Sequence, residues 1–122
     1  MRVLDNVQPV VSQQDLKDYQ GLIEKIHIKD EILVYIAKLI DSTRNNGDLV
    51  LGASPRASLA IMRASKAIAA MNGRDFVTPD DVKYVAHHVL NHRIFLTAER
   101  EMEGIATEDV IKEITERLEI PR

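Results

Sequence analysis

The chain has 122 residues, of which 45% are hydrophobic and 29% are charged, with a formal net charge of −3 and no cysteine. This composition fits a globular domain and excludes disulfide bonds, thiol catalysis and cysteine-ligated zinc. The net negative charge argues against a general nucleic-acid binder, and no apolar run approaches the ~18–20 residues that span a membrane. The N-terminal residues lack the pattern of a signal peptide, so we expect a single soluble, cytoplasmic domain over residues 1–122.

Apolar residues recur at three- and four-residue steps along most of the chain. This period predicts a mainly all-α fold, a compact bundle of about five short helices with at most a minimal two-stranded ribbon. The first helix is predicted to begin near Ser12, because Ser12 and Asp15 have the spacing of a capping box. His27 follows it as a short extended joint. The predicted buried face of this helix consists of Leu16, Tyr19, Ile23 and Ile26.

The second helix is predicted to begin with Asp30 as its N-cap and to end at residues 45–47 (NNG). The third helix is predicted to have Ser54 as its N-cap and Pro55 at the first helical position, where a missing N–H is harmless. It ends at residues 72–73 (NG). The predicted buried residues are Ile32, Leu33, Ile36, Leu39 and Ile40 in the second helix and Ala57, Ile61, Ala64, Ile68 and Met71 in the third.

A fourth helix is predicted to begin at Thr78 and Pro79, which are followed by two acids. Residues 76–77 are predicted to pair briefly with residues 93–96 (RIFL), and residues 98–105 to form a polar, acidic loop. A last helix is capped by Thr107 and ends before Pro121. The predicted buried residues of these two helices are Val82, Val85, Ala86, Val89, Val110, Ile111, Ile114 and Leu118.

The charges are unevenly distributed along the chain. Residues 49–74 contain no acid, whereas residues 99–119 contain eight acidic and three basic side chains. The third helix is therefore electropositive in a mildly acidic protein. Its basic side chains either form a solvated face or bind an anion; they are Arg56, Arg63, Lys66 and Arg74.

Arg56 occupies the first turn of the third helix, where the positive end of the helix dipole disfavours a cation. Three other predicted helices place acids in their first turn instead. A helix N-terminus beside a guanidinium group is a good receptor for phosphate, so a bound anion would account for Arg56. The alternative is that Arg56 lies over solvent or pairs with the acidic C-terminal residues.

Residues 52–57 (GASPRA) resemble the sensor 2 segment of the MoxR family of AAA+ ATPases. Other segments resemble the same family in the same order along nearly the whole chain. They are residues 7–12 (VQPVVS), residues 35–44 with their terminal Thr43-Arg44, residues 73–82 (GRDFVTPDDV), and residues 89–94 with Val89-Leu90 and His92-Arg93-Ile94.

The resemblance implies a helical lid, the small C-terminal domain of an AAA+ module. Family members hydrolyse ATP with Mg²⁺, form rings that are typically hexameric and act as chaperone-like machines, often with von Willebrand factor A domain partners. Arg56 matches the sensor 2 arginine that reaches the γ-phosphate, and Ser54 and Pro55 match the turn that aims it. Such a contact would stabilise charge on the transferred phosphoryl group and could swing the lid as the nucleotide state changes.

The chain departs from the family in lacking any G-x-x-x-x-G-K-[ST] motif, the loop that cradles the phosphates of ATP. We therefore expect the ATPase core to precede Met1 in the same polypeptide. By itself the chain is expected to be inactive as an ATPase and to bind neither ATP nor Mg²⁺ tightly.

Other interpretations of the sequence remain open. His88 and His92 have helical spacing for a metal, but no third ligand follows from the sequence, so no metal site is predicted. Acidic residues 99–103 are expected to face solvent or to contact a neighbouring subunit's basic helix. The alternative functions are a free-standing DNA-binding module that uses residues 56–74 on phosphates, and a protein-interaction bundle in which Arg56 is an interface residue.

Overall fold

The structure is a computed structural model that describes residues 2–121. Over these residues the chain forms a mainly α-helical bundle with a small antiparallel ribbon, as predicted, but with six α-helices and one 3₁₀-helix. The elements in order are the 3₁₀-helix Val3–Asn6, α1 Gln13–Glu24, α2 Asp30–Arg44, β1 Leu49–Leu51, α3 Arg56–Met71, α4 Pro79–Leu90, β2 Phe95–Leu96, α5 Ala98–Met102 and α6 Thr107–Arg117.

One hydrophobic cluster joins α2, α3, α4 and α6. α3 lies at its centre and packs against α1, α2 and α4. Its buried residues recur at four-residue steps, and three of the four are small, which lets the neighbouring helices approach closely. The four buried residues of α3 are Ala57, Ile61, Ser65 and Ala69.

Four-residue steps also explain why part of the predicted core is wrong. Steps of four turn the buried stripe of α3 away from Met71, which is 80% exposed rather than buried. In α2, Leu33 is exposed and Tyr35 takes the buried position. The predicted core positions of α4 and α6 are confirmed as buried or partly buried.

Helix α1 departs furthest from the prediction. Its capping box is confirmed, since Ser12 Oγ accepts from the Asp15 N–H at 3.0 Å and the Asp15 carboxylate accepts from the Ser12 N–H at 2.9 Å. However, no residue of α1 is buried, and Leu16 and Tyr19 are each 51% exposed. The helix touches the bundle at α3, and most of its apolar face has no partner among the described residues.

The ribbon has a different partner from the one predicted. β2 lies in the predicted RIFL segment, but it pairs antiparallel with β1 and not with residues 76–77. Phe76 instead forms a parallel bridge with His27, and this confirms the extended joint at His27. The Asp75 carbonyl accepts from the His27 N–H at 2.8 Å, and the His27 carbonyl accepts from the Val77 N–H at 2.9 Å.

Residues 98–105, predicted as a loop, contain the five-residue helix α5. Thr97 Oγ1 accepts from the Arg100 N–H at the start of this helix. Arg100 also donates to Asp48 at 2.7 Å and to Glu103 at 2.7 Å. The two local contacts and the one to Asp48, 52 residues away, stabilise a helix that is too short to stand alone.

Three predicted helix starts shift by one residue. α2 has Lys29 as its N-cap, α6 has Ala106, and α3 begins at Arg56 with Pro55 as its N-cap instead of Ser54. Pro55 has helical dihedral angles (φ −57°, ψ −24°) and no side-chain acceptor, so it supplies only a preset turn.

The segment between β1 and α3 is fixed to the end of α2 by one buried side chain. Thr43, only 1% exposed, donates from Oγ1 to the Ile40 carbonyl at 2.7 Å and accepts from the Ala53 N–H at 3.0 Å. The preceding residue, Gly52, passes so close that a Cβ atom there would lie 2.5 Å from the Thr43 carbonyl oxygen. The turn before α3 therefore has one position relative to α2.

A second polar contact joins α3 to α4. Arg74 donates to both carboxylate oxygens of Asp81, at 2.7 and 2.6 Å, and the same carboxylate accepts from the Thr78 N–H at 2.8 Å. Asp81 is 4% exposed. Burial raises its pKa, but the hydrogen bonds from Arg74 and Thr78 outweigh burial, so the net pKa of Asp81 lies below its ordinary value.

We expect the Gly52→Ala substitution to lower the free energy of unfolding by about 2–3 kcal/mol, because the new methyl group meets rigid backbone. Gly47→Ala is the matched control, since a Cβ atom at Gly47 meets nothing within 4 Å. Urea denaturation of both variants measures the difference. Equal effects of the two substitutions would contradict the close approach.

We expect the free energy of unfolding to fall with acid because the pKa of Asp81 is lower in the folded protein than in the unfolded chain. The contribution of Asp81 is complete above its unfolded pKa of about 4 and is lost as the pH drops further towards the folded value. Asp81→Asn should cost about 3 kcal/mol at pH 7 and flatten this acid dependence. Urea denaturation from pH 2.5 to 7 tests this, with exposed Asp80→Asn as the control; parallel profiles for wild type and Asp81→Asn would refute it.

Candidate functional site

The N-terminus of α3 lies at the surface, at the end of the segment that Thr43 and Gly52 fix. The chain leaves β1 at Leu51, crosses the end of α2, and enters α3 at Arg56. Ala53 is buried, whereas the three residues of the predicted site, Ser54, Pro55 and Arg56, are exposed. The buried part of the turn thus holds the exposed part in place.

Among the α-helices of residues 2–121, α3 alone has no acid in its first turn. The positive end of its dipole is therefore not neutralised by a side chain of its own. Some of the N–H groups in the first turn of α3 already donate hydrogen bonds to the preceding turn. Those of Ala57 and Ser58 donate to the Ser54 and Pro55 carbonyls at 3.0 Å, while the Arg56 N–H has no acceptor among the described residues.

The Arg56 side chain is exposed and has no ion-pair or hydrogen-bond partner in residues 2–121. The predicted alternative, a pairing with acidic C-terminal residues, does not occur within that range. This guanidinium group has five free N–H donors and lies at a helix N-terminus whose positive dipole no acid neutralises. It can bind an anion by donating two parallel hydrogen bonds.

The other basic residues of the electropositive helix do not join Arg56. Arg74 is held by Asp81. Lys66 donates to the Glu24 carbonyl at the end of α1 at 3.4 Å. Arg63 is exposed on α3, away from the helix start. The predicted basic face is therefore divided between structural contacts and solvent.

A surface cavity of about 590 Å³ lies against the turn before α3. Ser54 and Pro55 line it, together with two arginines that sequence reasoning did not connect with the site: Arg44 and Arg93. Arg44 is the last residue of α2, and Arg93 precedes β2. Arg93 lies in the turn between α4 and β2, where its N–H donates to the Leu90 carbonyl at 2.9 Å.

The histidines of α4 do not form a metal site within residues 2–121, where no three His, Asp or Glu side chains are grouped to hold a metal ion. The His88 ring instead packs on Tyr84, with ring centroids 5.2 Å apart. Every helix of the described range is too short or too polar to span a lipid bilayer.

Comparison with known proteins identifies the kind of domain that this chain forms. The model of the AAA lid domain family matches residues 41–114, a range that contains the fixed turn, Arg56 and both cavity arginines. The uncharacterized protein YeaC of Bacillus subtilis is 35% identical over 118 residues, which cover 97% of this chain and 37% of YeaC. Chaperone MoxR1 of Mycobacterium tuberculosis is 31% identical, over 93% of this chain and 32% of MoxR1.

A crystal structure of an ATPase candidate from Cytophaga hutchinsonii superimposes with a TM-score of 0.88 at 36% identity, covering all of this chain and 42% of that one. The chain thus spans well under half of the length of each of these relatives. Because the family model matches more than half of the chain, the chain belongs to the AAA lid domain family and is a lid of the MoxR-like AAA+ ATPases.

Proposed function

We propose that this lid contacts a phosphate of ATP through Arg56 and couples ATP hydrolysis to movement of the lid. The single observation that carries the proposal concerns Arg56: within residues 2–121 it is exposed and unpaired, and it begins the one α-helix there whose first turn lacks an acid. In phosphoryl transfer, charge builds on the transferred group, and a positioned guanidinium stabilises that charge. Ser54 and Pro55 aim Arg56, because the buried residues before them are fixed to α2.

The phosphate cradle and the Mg²⁺ site would come from an AAA+ core in the same polypeptide. The described residues suit the phosphate group but offer no cluster of carboxylates for Mg²⁺. The lid therefore supplies one cation to a nucleotide that the core holds. By family resemblance, such modules assemble into rings, typically hexamers, and act in a chaperone-like way, often with von Willebrand factor A domain partners.

The N-terminal part of the chain supports docking on a core. Residues 2–22 contain no buried side chain, and large apolar side chains lie exposed on the 3₁₀-helix, on α1 and between them. Apolar surface on this scale marks a contact with another protein surface. The exposed residues are Val3, Leu4, Val7, Val10, Val11, Leu16, Tyr19 and Leu22.

The DNA-binding alternative loses its main support. It required the basic side chains of residues 56–74 to face one phosphate backbone together, but Arg74 and Lys66 are engaged within the chain. Arg56 and Arg63 remain, and two cations bind duplex DNA only weakly at physiological salt.

We expect Arg56→Ala to lower kcat for ATP hydrolysis about 100-fold in the polypeptide that joins this chain to its ATPase core, since the lost contact stabilises the transition state. The Kd for ATP should rise much less, because the core supplies most of the binding contacts. Steady-state hydrolysis and equilibrium nucleotide binding measure the two effects. Arg63→Ala is the control, since it removes an exposed arginine of the same helix; equal rates for both variants would refute the role of Arg56.

We expect the double substitution Leu16→Ser and Tyr19→Ser to leave the melting temperature of the 122-residue chain within about 2 °C, since both side chains are half exposed. The same variant should bind the ATPase core, supplied as a separate polypeptide, at least tenfold more weakly, because the lost apolar area is buried only in the complex. Calorimetry measures both quantities. Met102→Ser removes an even more exposed apolar side chain, from α5, and should leave binding unchanged; a matching loss there would contradict docking through α1.

A further inference from the structure

We propose that the cavity between Arg44 and Arg93 is a second phosphate-binding site, separate from the contact assigned to Arg56. It rests on the proposed function only in taking a nucleotide as the natural source of the phosphate. The site consists of the two arginines and the turn at Ser54 and Pro55 that they flank.

The charge of the cavity is one-sided. Two arginines line it, and no acidic side chain does. Within residues 2–121, neither arginine forms an ion pair or a side-chain hydrogen bond. The ion pairs in this range are formed by Arg74, Arg100 and Arg117. Two guanidinium groups that share a cavity repel each other, and an oxyanion between them converts that repulsion into attraction.

Arg93 provides the second, independent observation. Its Nε atom is buried and has no hydrogen-bond partner among the described residues. A buried, charged donor without an acceptor is costly, and native proteins usually satisfy such groups with a partner, water or ligand. A phosphate in the cavity would meet the terminal nitrogens of Arg93 first, and a small shift of the side chain towards the phosphate would give Nε an acceptor as well.

The fold also brings the arginines together by fixed elements. Arg44 directly follows Thr43, whose hydroxyl group holds the Ala53 N–H. Arg93 lies two residues before β2, the strand that pairs with β1, and lines the same cavity as this turn. The site is thus held in place without the ligand, which reduces the entropy cost of binding.

The remaining wall of the cavity is apolar. Val50 and Leu51 line it, and they are 72% and 57% exposed. A ligand that combines a phosphate group with a flat apolar portion matches both walls. A nucleotide has this chemistry, whereas inorganic phosphate would use the arginines alone.

The test uses the isotope-labelled 122-residue chain at low ionic strength, titrated with tripolyphosphate and followed by ¹H–¹⁵N NMR. We expect saturable shifts of the Arg93 Nε–Hε signal and of the amides of Gly52 and Ser54. Arg93→Gln and Arg44→Gln should each raise the Kd about tenfold, because each removes charge-assisted hydrogen bonds. Arg93→Lys should restore the charge but little of the affinity, since it loses the planar fork.

Arg63→Gln is the control, because Arg63 is exposed on α3 and does not line the cavity, and it should change the Kd less than threefold. Tighter binding of ATP than of tripolyphosphate or inorganic phosphate identifies a nucleotide as the source, and equal binding of all three identifies the phosphate group alone. Shifts that persist in both cavity variants, or tighter binding of a poly-glutamate peptide, would overturn the site. Neither result would affect the separate loss of hydrolysis expected from Arg56.

Discussion

The positions of Arg44 and Arg56, on either side of the turn before α3, depend on the hydroxyl group of Thr43. This group lies inside the bundle, donates to the preceding turn of its own helix and accepts from the backbone of Ala53. The contact works only because Gly52 has no side chain, since its backbone passes against the Thr43 carbonyl. One hydrogen bond and one absent methyl group thereby fix the end of α2 against the start of α3. This contact therefore sets the positions of Arg44, which follows Thr43, and of Arg56, which follows the turn.

The basic residues fall into two groups, those that lie beside an acid and those that do not. Arg74 and Arg100 bind carboxylates on neighbouring elements and so stabilise the fold. The arginines around the turn have no such partner in residues 2–121, and α3 contributes no acid of its own. Their charge is uncompensated beside a turn that the Thr43 hydrogen bond holds against α2. Uncompensated charge on a rigid support is the arrangement expected for recognising an anion, since little reorganises on binding.

The sequence predicts local features of this protein well and distant contacts poorly. Capping boxes, the proline at the start of α4 and the end of α3 at Gly73, whose φ is +75°, follow from short-range chemistry. The pairing of β2 with β1 does not, because several short apolar segments could pair and only the packed bundle selects one. Arg56 is visible from its place in a first turn, whereas Arg44 and Arg93 are 49 residues apart in the sequence and only the folded chain brings them to one cavity. The helical spacing of apolar residues shows that α1 has an apolar face, but it does not show which surface packs against that face.

Helix α3 connects the two surfaces that the proposed function needs. Arg56 begins it, and ten residues later Lys66 holds the last turn of α1, the helix whose apolar face is exposed. Helix α1 is also joined to the bundle just beyond its end, where His27 pairs with Phe76. A sixteen-residue helix is about 24 Å long, and α3 packs against α1, α2 and α4, so the proposed mechanism treats it as one rigid element. In the proposed mechanism, a pull on Arg56 by a phosphate therefore moves α1 with the bundle, and the contact between α1 and the core must shift or break.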